Sequence, residues 1–311
     1  MAGRRMRPAS FSRTLTIMMH KFRTTLAGYG FIFPAIVLVA IFLLYPIGFV
    51  IYISFHKWGI LGTPVFVGLK NYVTIFSDDR FWQAVLNTGY YMVLAVPTQI
   101  GLGLLLAILV NRKGTAGRGF FRTIYFIPLS ISFVAAGIIF QWILTTTPIE
   151  GFLSHLFGQL GLPFPQWETT DSNWAMVAIA LMNTWKSAGY AMVIYLAGLQ
   201  GINRDYYEAA AIDGARSEWQ VFRYITWPLL APTTVLLVIS TVIFTVRGFE
   251  PIFVMTQGGP AGATTTLVYY LYEKFPNTMG VSSAAATFLL VAILVLTLVQ
   301  FLASRRAESY Y

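Results

Sequence analysis

From Thr24 to His56 the chain carries no Asp, Glu, Lys or Arg, and five further stretches of similar length hold two charges at most. In hydrocarbon no water is present to satisfy backbone N–H and C=O groups, so a run of this kind crosses a membrane as a helix. About 20 residues are needed to cover roughly 30 Å of hydrocarbon. The runs predict helices near 29–53, 84–110, 121–144, 174–200, 229–254 and 282–304. The basic start before Thr24 is followed by a run too long for a signal peptide and without a small-residue cleavage site, so it reads as a retained first span. Only 11% of the 311 residues are charged, against about 25% in soluble domains. The fold class is an all-α membrane protein, a polytopic bundle of six transmembrane helices in one domain at 29–304. It has a basic segment at 1–28 and a short tail at 305–311. Pro34, Pro46, Pro97 and Pro128 fall within or at the ends of spans and predict kinks.

Orientation follows from where the basic residues lie. Segments 1–28, 111–122, 201–228 and 305–311 hold fifteen Lys and Arg, and 54–83, 145–173 and 255–281 hold four. Loops rich in Lys and Arg stay in the cytoplasm, which places both termini there, together with the 111–122 and 201–228 loops. The net charge of +9 therefore reflects topology and not nucleic-acid binding, for which no base-reading motif is interleaved. The chain has no cysteine, so neither a disulfide framework nor a Cys-based zinc site is available. In the external segment 145–173, Ile149, Phe152, Leu153, Leu156, Phe157 and Leu160 predict a short amphipathic helix. His155 within it is a lone histidine and makes no metal site.

The stretch Asp205–Pro232 is a polar insert between two membrane runs, with six charges between positions 205 and 223. Glu208 precedes three alanines, which suits a helix start. Gly214 then allows a turn. Trp219, Phe222 and Ile225 recur at i, i+3, i+6 and predict a second short helix with one aromatic face, closed by Pro228 and Pro232. A helix, a turn and an amphipathic helix at a membrane surface suit insertion into a partner's groove.

Glu208-Ala209-Ala210, Asp213-Gly214-Ala215 and the Ile225…Pro228 ending resemble the EAA loop of inner-membrane permease subunits of carbohydrate-type ABC importers. GLKNY at 68–72, RGFFRTIYFIP at 118–128, NTWKSAGY at 183–190 and MTQGGP at 255–260 resemble segments of that family in the same order. One departure is visible: ten residues separate Gly214 from Ile225, where the family pattern has one fewer. The resemblance implies that the 201–228 loop couples to an ATPase subunit through Glu208, Ala209, Ala210, Asp213, Gly214 and Ala215. Glu208 would pair with a basic residue of the ATPase or cap its own helix. It also implies a second, homologous permease, two ATPase subunits and an external solute-binding protein as partners, with the chain itself embedded in the lipid bilayer.

The chain lacks G-x-x-x-x-G-K-[ST], and the glycine-rich turn at 114–119 has neither the lysine nor the hydroxyl of a phosphate loop. No nucleophile–base arrangement or HExxH stands out either, so the chain reads as a non-enzyme that binds no cofactor. ATP and Mg would belong to the partner ATPase subunits. Candidates for the translocation path are polar groups inside spans, since a charge at mid-bilayer costs at least about 2.5–3.5 kcal/mol and turns toward protein or water. Asn183, Trp185 and Tyr190 suit a sugar, with amide to hydroxyl and aromatic ring to apolar sugar face. Lys186 reads as a structural or gating hydrogen bond to the second permease. Arg247 and Glu250 lie three apart and can pair along one helix face, either holding helices together or lining the path. The reading is a permease subunit for a sugar or oligosaccharide. A glycerol-phosphate-type solute is the near alternative. A stand-alone secondary transporter and a purely structural assembly subunit are more distant ones.

Overall fold

A computed structural model describes residues 29–112, 117–146, 151–168, 174–215 and 217–308. The basic segment 1–28, residues 114–116 of the glycine-rich turn, Ile149 and the end of the tail at 309–311 lie outside the described residues. The architecture is a helical bundle with one small antiparallel pair, β1 (His56–Lys57) and β2 (Val65–Phe66), at one end.

Among the described residues three helices are long and apolar enough to cross a membrane: α1 (Tyr29–Ser54), α3 (Asp79–Asn111, after the short α2, Lys70–Phe76) and the Met279–Ser304 stretch of α13 (Met279–Glu308). Two more qualify only as bent pairs. Helices α4 (Arg118–Ser130) and α5 (Phe133–Leu144) meet at 99°. Helices α9 (Glu218–Leu229) and α10 (Ala231–Val246) meet at 64°. The kink expected near Pro128 in the 121–144 span is present, and it is sharp enough to break the helix in two. Pro128 sits in the last turn of α4, Ile131 is extended, and the Ser132 side chain restarts the helix by accepting the Ala135 N–H at 3.1 Å. The helix expected over 229–254 also divides, ending at Val246 and resuming as α11 (Glu250–Met255) beyond Gly248, with Pro251 in its first turn. Helix α3, by contrast, continues unbroken past Pro97.

The sixth expected span is α7 (Trp174–Gly201), whose 28 residues reach about 42 Å at 1.5 Å per residue. It is not among the helices apolar enough to qualify as a span, and more than half of its residues are buried in the bundle. Its Ala191, Met192 and Tyr195 pack on Val96, Ile100 and Ala107 of α3. The backbones approach closely: a Cβ on Gly103 would overlap Ala191, and one on Gly189 would overlap the Tyr125 carbonyl of α4. Small residues permit such contact where apolar burial supplies no net drive in lipid. The hydroxyls of Thr98 and Thr184 meet across the same interface at 2.8 Å. At the other extreme, only 6% of the apolar window of α1 is buried.

Two wide turns interrupt helices. Tyr45 N–H bonds to Ala40 C=O, and Trp227 N–H bonds to Phe222 C=O, each five residues back. Each π turn ends just before a proline, Pro46 or Pro228. A proline ring crowds the carbonyl four residues earlier and supplies no N–H, and a widened turn relieves that crowding.

The end bearing β1 and β2 is held by buried polar groups. Asn71 donates to the carbonyls of Ser54 and His56 at 2.8 and 2.9 Å, which gives the GLKNY segment a structural role. Gly280 lets α13 lie against this knot, since a Cβ there would strike the His56 carbonyl. The loop after α11 bends with Gln257, Gly258, Ala261 and Gly262 all at positive φ. Thr264 donates to Gly259 C=O at 2.6 Å, and Thr265 donates to Gly258 C=O at 3.2 Å. Asn87 of α3 donates to the carbonyls of Gly262 and Thr265 at 2.9 and 3.0 Å. Helix α12 (Leu267–Lys274) follows, and the amphipathic helix expected within 145–173 is α6 (Phe152–Gln159).

Candidate functional site

The polar insert folds as α8 (Arg204–Ile212), a tight turn and α9. Asn203 caps α8, its side chain accepting the Asp205 N–H at 3.2 Å. The helix therefore begins before Glu208, which lies in its second turn with an exposed side chain; the capping role belongs to Asn203. Ala210 is buried, and Ala209 and Ala211 are exposed. Gly214 has φ +89°, Ala215 N–H returns to Ala210 C=O at 2.9 Å, and Gly214 N–H bonds to Ala211 C=O at 3.3 Å. This double bond back onto the helix closes its last turn, and the left-handed residue it requires is most readily glycine. Ser217 and Gln220 then start α9 with reciprocal side-chain bonds.

A cavity of about 440 Å³ opens between the two arms, lined by Tyr206, Ala209, Ala210, Asp213, Gly214 and Tyr224 among others. Glu208 and Asp213 form no ion pair among the described residues. Ile212, at the tip, is 85% exposed. Ile212 and Tyr224 are absent from the sequence-derived set. The available signal was an isoleucine between an alanine run and Asp213-Gly214, in a segment too charged to be buried in lipid. The expected face of Trp219, Phe222 and Ile225 is split by the π turn. Trp219 is well exposed and packs at a tilt on a half-buried Phe222, ring centroids 5.7 Å apart, and Ile225 faces the cavity. Arg112 at the end of α3 links the hairpin to the bundle by pairing with Glu218 at 2.9 Å, and the Tyr207 and Thr226 hydroxyls, 3.3 Å apart, join the two arms to each other.

The membrane-depth candidates separate into two groups. Asn183 and Lys186 are buried in α7, and Trp185 and Tyr190 reach the surface. The Lys186 ammonium lies on the carbonyls of Pro128, Leu129 and Ile131, the open end of α4 at the 99° break, and 4.6 Å from the Phe133 ring centroid. Among the described residues its bonds go to carbonyls of its own chain. The end of a helix leaves its last carbonyls without N–H partners, and a cation is favoured there. Trp185 packs on Phe140 of α5, centroids 5.4 Å apart. Arg247 and Glu250 are both exposed, stand on either side of the break between α10 and α11, and form no ion pair with each other. The helical face on which they would pair is interrupted at Gly248.

At the opposite end from the hairpin, Asp78 caps α3 and collects bonds from α12: Tyr270 Oη donates at 2.8 Å, and Lys274 Nζ lies at 3.1 Å. Arg80 pairs with Glu273 at 2.9 Å. Burial pushes the Asp78 carboxyl up, but the hydrogen bonds from Tyr270, Lys274 and the Arg80 N–H together with the Lys274 charge outweigh it, so its pKa lies below the ordinary value.

Residues 99–309 match the family described as binding-protein-dependent transport system inner membrane component, and the chain belongs to that family. It is a multi-pass inner-membrane permease of the ABC importer type. The lactose transport system permease protein of Rhizobium radiobacter is 38% identical over 90% of this chain and 95% of its own length. The sn-glycerol-3-phosphate transport system permease of Agrobacterium fabrum is 36% identical, over 90% of this chain and 95% of its own. The crystal structure of a bacterial ABC transporter importing the acidic polysaccharide alginate superposes with a TM-score of 0.79 at 26% identity. That match covers 93% of this chain and 98% of the other.

Proposed function

We infer that this permease, with a second and homologous one, forms the path by which a sugar or oligosaccharide enters the cell. The solute arrives on an external binding protein, and two separate ATPase subunits, which hold ATP and Mg, drive its passage. Helix α7 serves as the sixth span, both termini lie in the cytoplasm, and the α8–α9 hairpin docks into an ATPase cleft on that side. The observation that carries this reading is the hairpin: a rigidly closed turn with Glu208 and Ile212 outward, in a chain that lacks phosphate-binding motifs of its own. A docked helix fixed to α7 and α10 passes motion into the bundle as a rigid body, and alternating access follows from rocking of the helices. Asn183, Trp185, Tyr190, Arg247 and Glu250 are the path candidates. Lys186 holds the α4–α5 elbow in place.

The test is assembly of the chain with its neighbouring permease and ATPase subunits, followed by comparison with the Glu208→Lys, Gly214→Pro double variant. Loss of both ATPase binding and ATP-driven uptake into proteoliposomes is expected for the variant. Uptake that needs no ATPase and survives the double change would overturn the reading in favour of a stand-alone secondary transporter.

A further inference from the structure

A second cavity, of about 430 Å³, lies at the far end of the bundle from the hairpin, where α5 ends beneath the loop that follows α11. Its volume falls within the range of small-molecule sites, roughly 300–1,000 Å³. The walls come from three separate parts of the chain. Helix α5 contributes Gln141, Trp142 and Thr145, the segment after α6 contributes Glu168, and the loop after α11 contributes Thr256 and the Gly259-Pro260 turn. Each wall is fixed independently of any ligand. The Glu168 carboxylate accepts from the Thr145 and Thr146 hydroxyls at 2.8 and 3.1 Å. The Gln141 amide nitrogen donates to the carbonyls of Val254 and Met255 at 3.1 and 2.8 Å, so the carbonyl oxygen of that amide is the atom left to accept. The base is Trp167, buried and donating its indole N–H to Leu144 C=O at 2.8 Å. On this rigid frame Trp142 alone stands out, 74% exposed.

We propose that this cavity is a saccharide subsite at the external mouth of the path. Trp142 stacks on the apolar face of one sugar ring, and the Gln141 carbonyl and Glu168 carboxylate accept from its hydroxyls. The chemistry selects by charge as well as shape. A fixed carboxylate in the wall repels a uronate or a phosphate ester and accepts an uncharged polyol, so the ligand class is a neutral sugar. Phe140, next to Gln141 on α5, touches Trp185 of α7, so the subsite stands at the outer end of the helix wall that holds the deeper candidates. The proposal rests on the importer reading above and adds a first holding point for solute leaving the binding protein.

The experiment is saturation-transfer NMR on the complete assembled transporter without ATP, using lactose, trehalose and sn-glycerol 3-phosphate as separate probes. Transfer to ring protons of a neutral sugar is expected. It should fall about fivefold or more in Trp142→Ala and stay near the wild-type level in Trp142→Phe, because stacking needs an aromatic face. The Glu168→Lys variant should gain transfer to sn-glycerol 3-phosphate. Equal transfer in wild type and Trp142→Ala, or none from either neutral sugar in the wild type, overturns the proposal and leaves Trp142 as a membrane-interface anchor. Co-purification of the ATPase subunits, followed in the same samples, reports on the importer reading separately: the subsite fails alone if they remain bound while the NMR contrast is absent.

Discussion

The two ends of the molecule are built on opposite plans. At the end formed by β1, β2, α2, α12 and the loop after α11, polar groups are buried and joined to one another within the chain. Asn71 and Asn87 bridge backbone carbonyls, three successive threonines at 264–266 are buried, and Asp78 ties α3 to α12. In the α8–α9 hairpin local caps start the helices, a single exposed ion pair and one hydroxyl contact are its longer polar links among the described residues, and the large side chains Ile212, Trp219 and Tyr224 stand in the open. A buried polar group left unpaired costs about 1–3 kcal/mol, so the first end is restricted to one arrangement by its own chemistry. The hairpin is restricted only in shape. Its side chains remain available to a surface outside the chain, and a coupling element needs that division between a fixed frame and an uncommitted face.

Substitutions at the two ends should therefore separate stability from assembly. The largest loss of stability is expected from Gly280→Ala, which sets a methyl on the His56 carbonyl; overpacking against backbone should cost about 3 kcal/mol, read as a lowered thermal midpoint in detergent. Asn71→Ala should cost about 2 kcal/mol by leaving two carbonyls without a donor. A smaller effect comes from acid. The Asp78 pKa is depressed in the folded protein, so its contribution is complete above the unfolded carboxyl pKa of about 3.9 and is lost as pH falls through the folded value. Melting curves between pH 6 and pH 3 should show a drop that Asp78→Asn lacks. At the hairpin, Ile212→Asp should change stability by no more than about 0.5 kcal/mol, yet weaken ATPase binding tenfold or more in a pull-down titration. Arg112→Ala, which opens a pair whose side chains are 62% and 85% exposed, should be the least visible, at about 0–1 kcal/mol. A hairpin variant that melted like Gly280→Ala would erase the contrast.

The sequence makes the bundle readable where a single physical rule governs the residue. Charge-free runs mark α1, α3 and α13 to within a few residues because hydrocarbon tolerates little else. Gly214 is readable for a similar reason, since a turn after an alanine-rich helix calls for a residue free to take positive φ. The rest depends on what lies across the bundle. Lys186 reads in isolation as a charge seeking a distant partner; only the elbow of α4 and α5 brings three carbonyls to it. Arg247 and Glu250 read as one helical face because nothing in their spacing reveals that Gly248 and Pro251 interrupt it. The role of Asn71 is invisible because its partners, Ser54 and His56, are backbone carbonyls, which carry no residue-type signal. For the same reason the cavity around Trp142 leaves no linear trace: its walls join residues from positions 141 to 260.

The wide turn at Phe222–Thr226 has a consequence for phase. An α-helix advances about 100° per residue, so one residue added to it swings everything beyond through more than a quarter of a circle. A single π turn takes up the added residue as a local swelling, and the helix past it keeps its azimuth. Leu230, completely buried beyond that turn, can therefore stay seated although the arm is one residue longer than the family pattern. The hairpin and the membrane helix it leads into are in this way decoupled in length while remaining joined in direction. The exposed surface of the hairpin can change by a residue without re-aiming the helix that follows it.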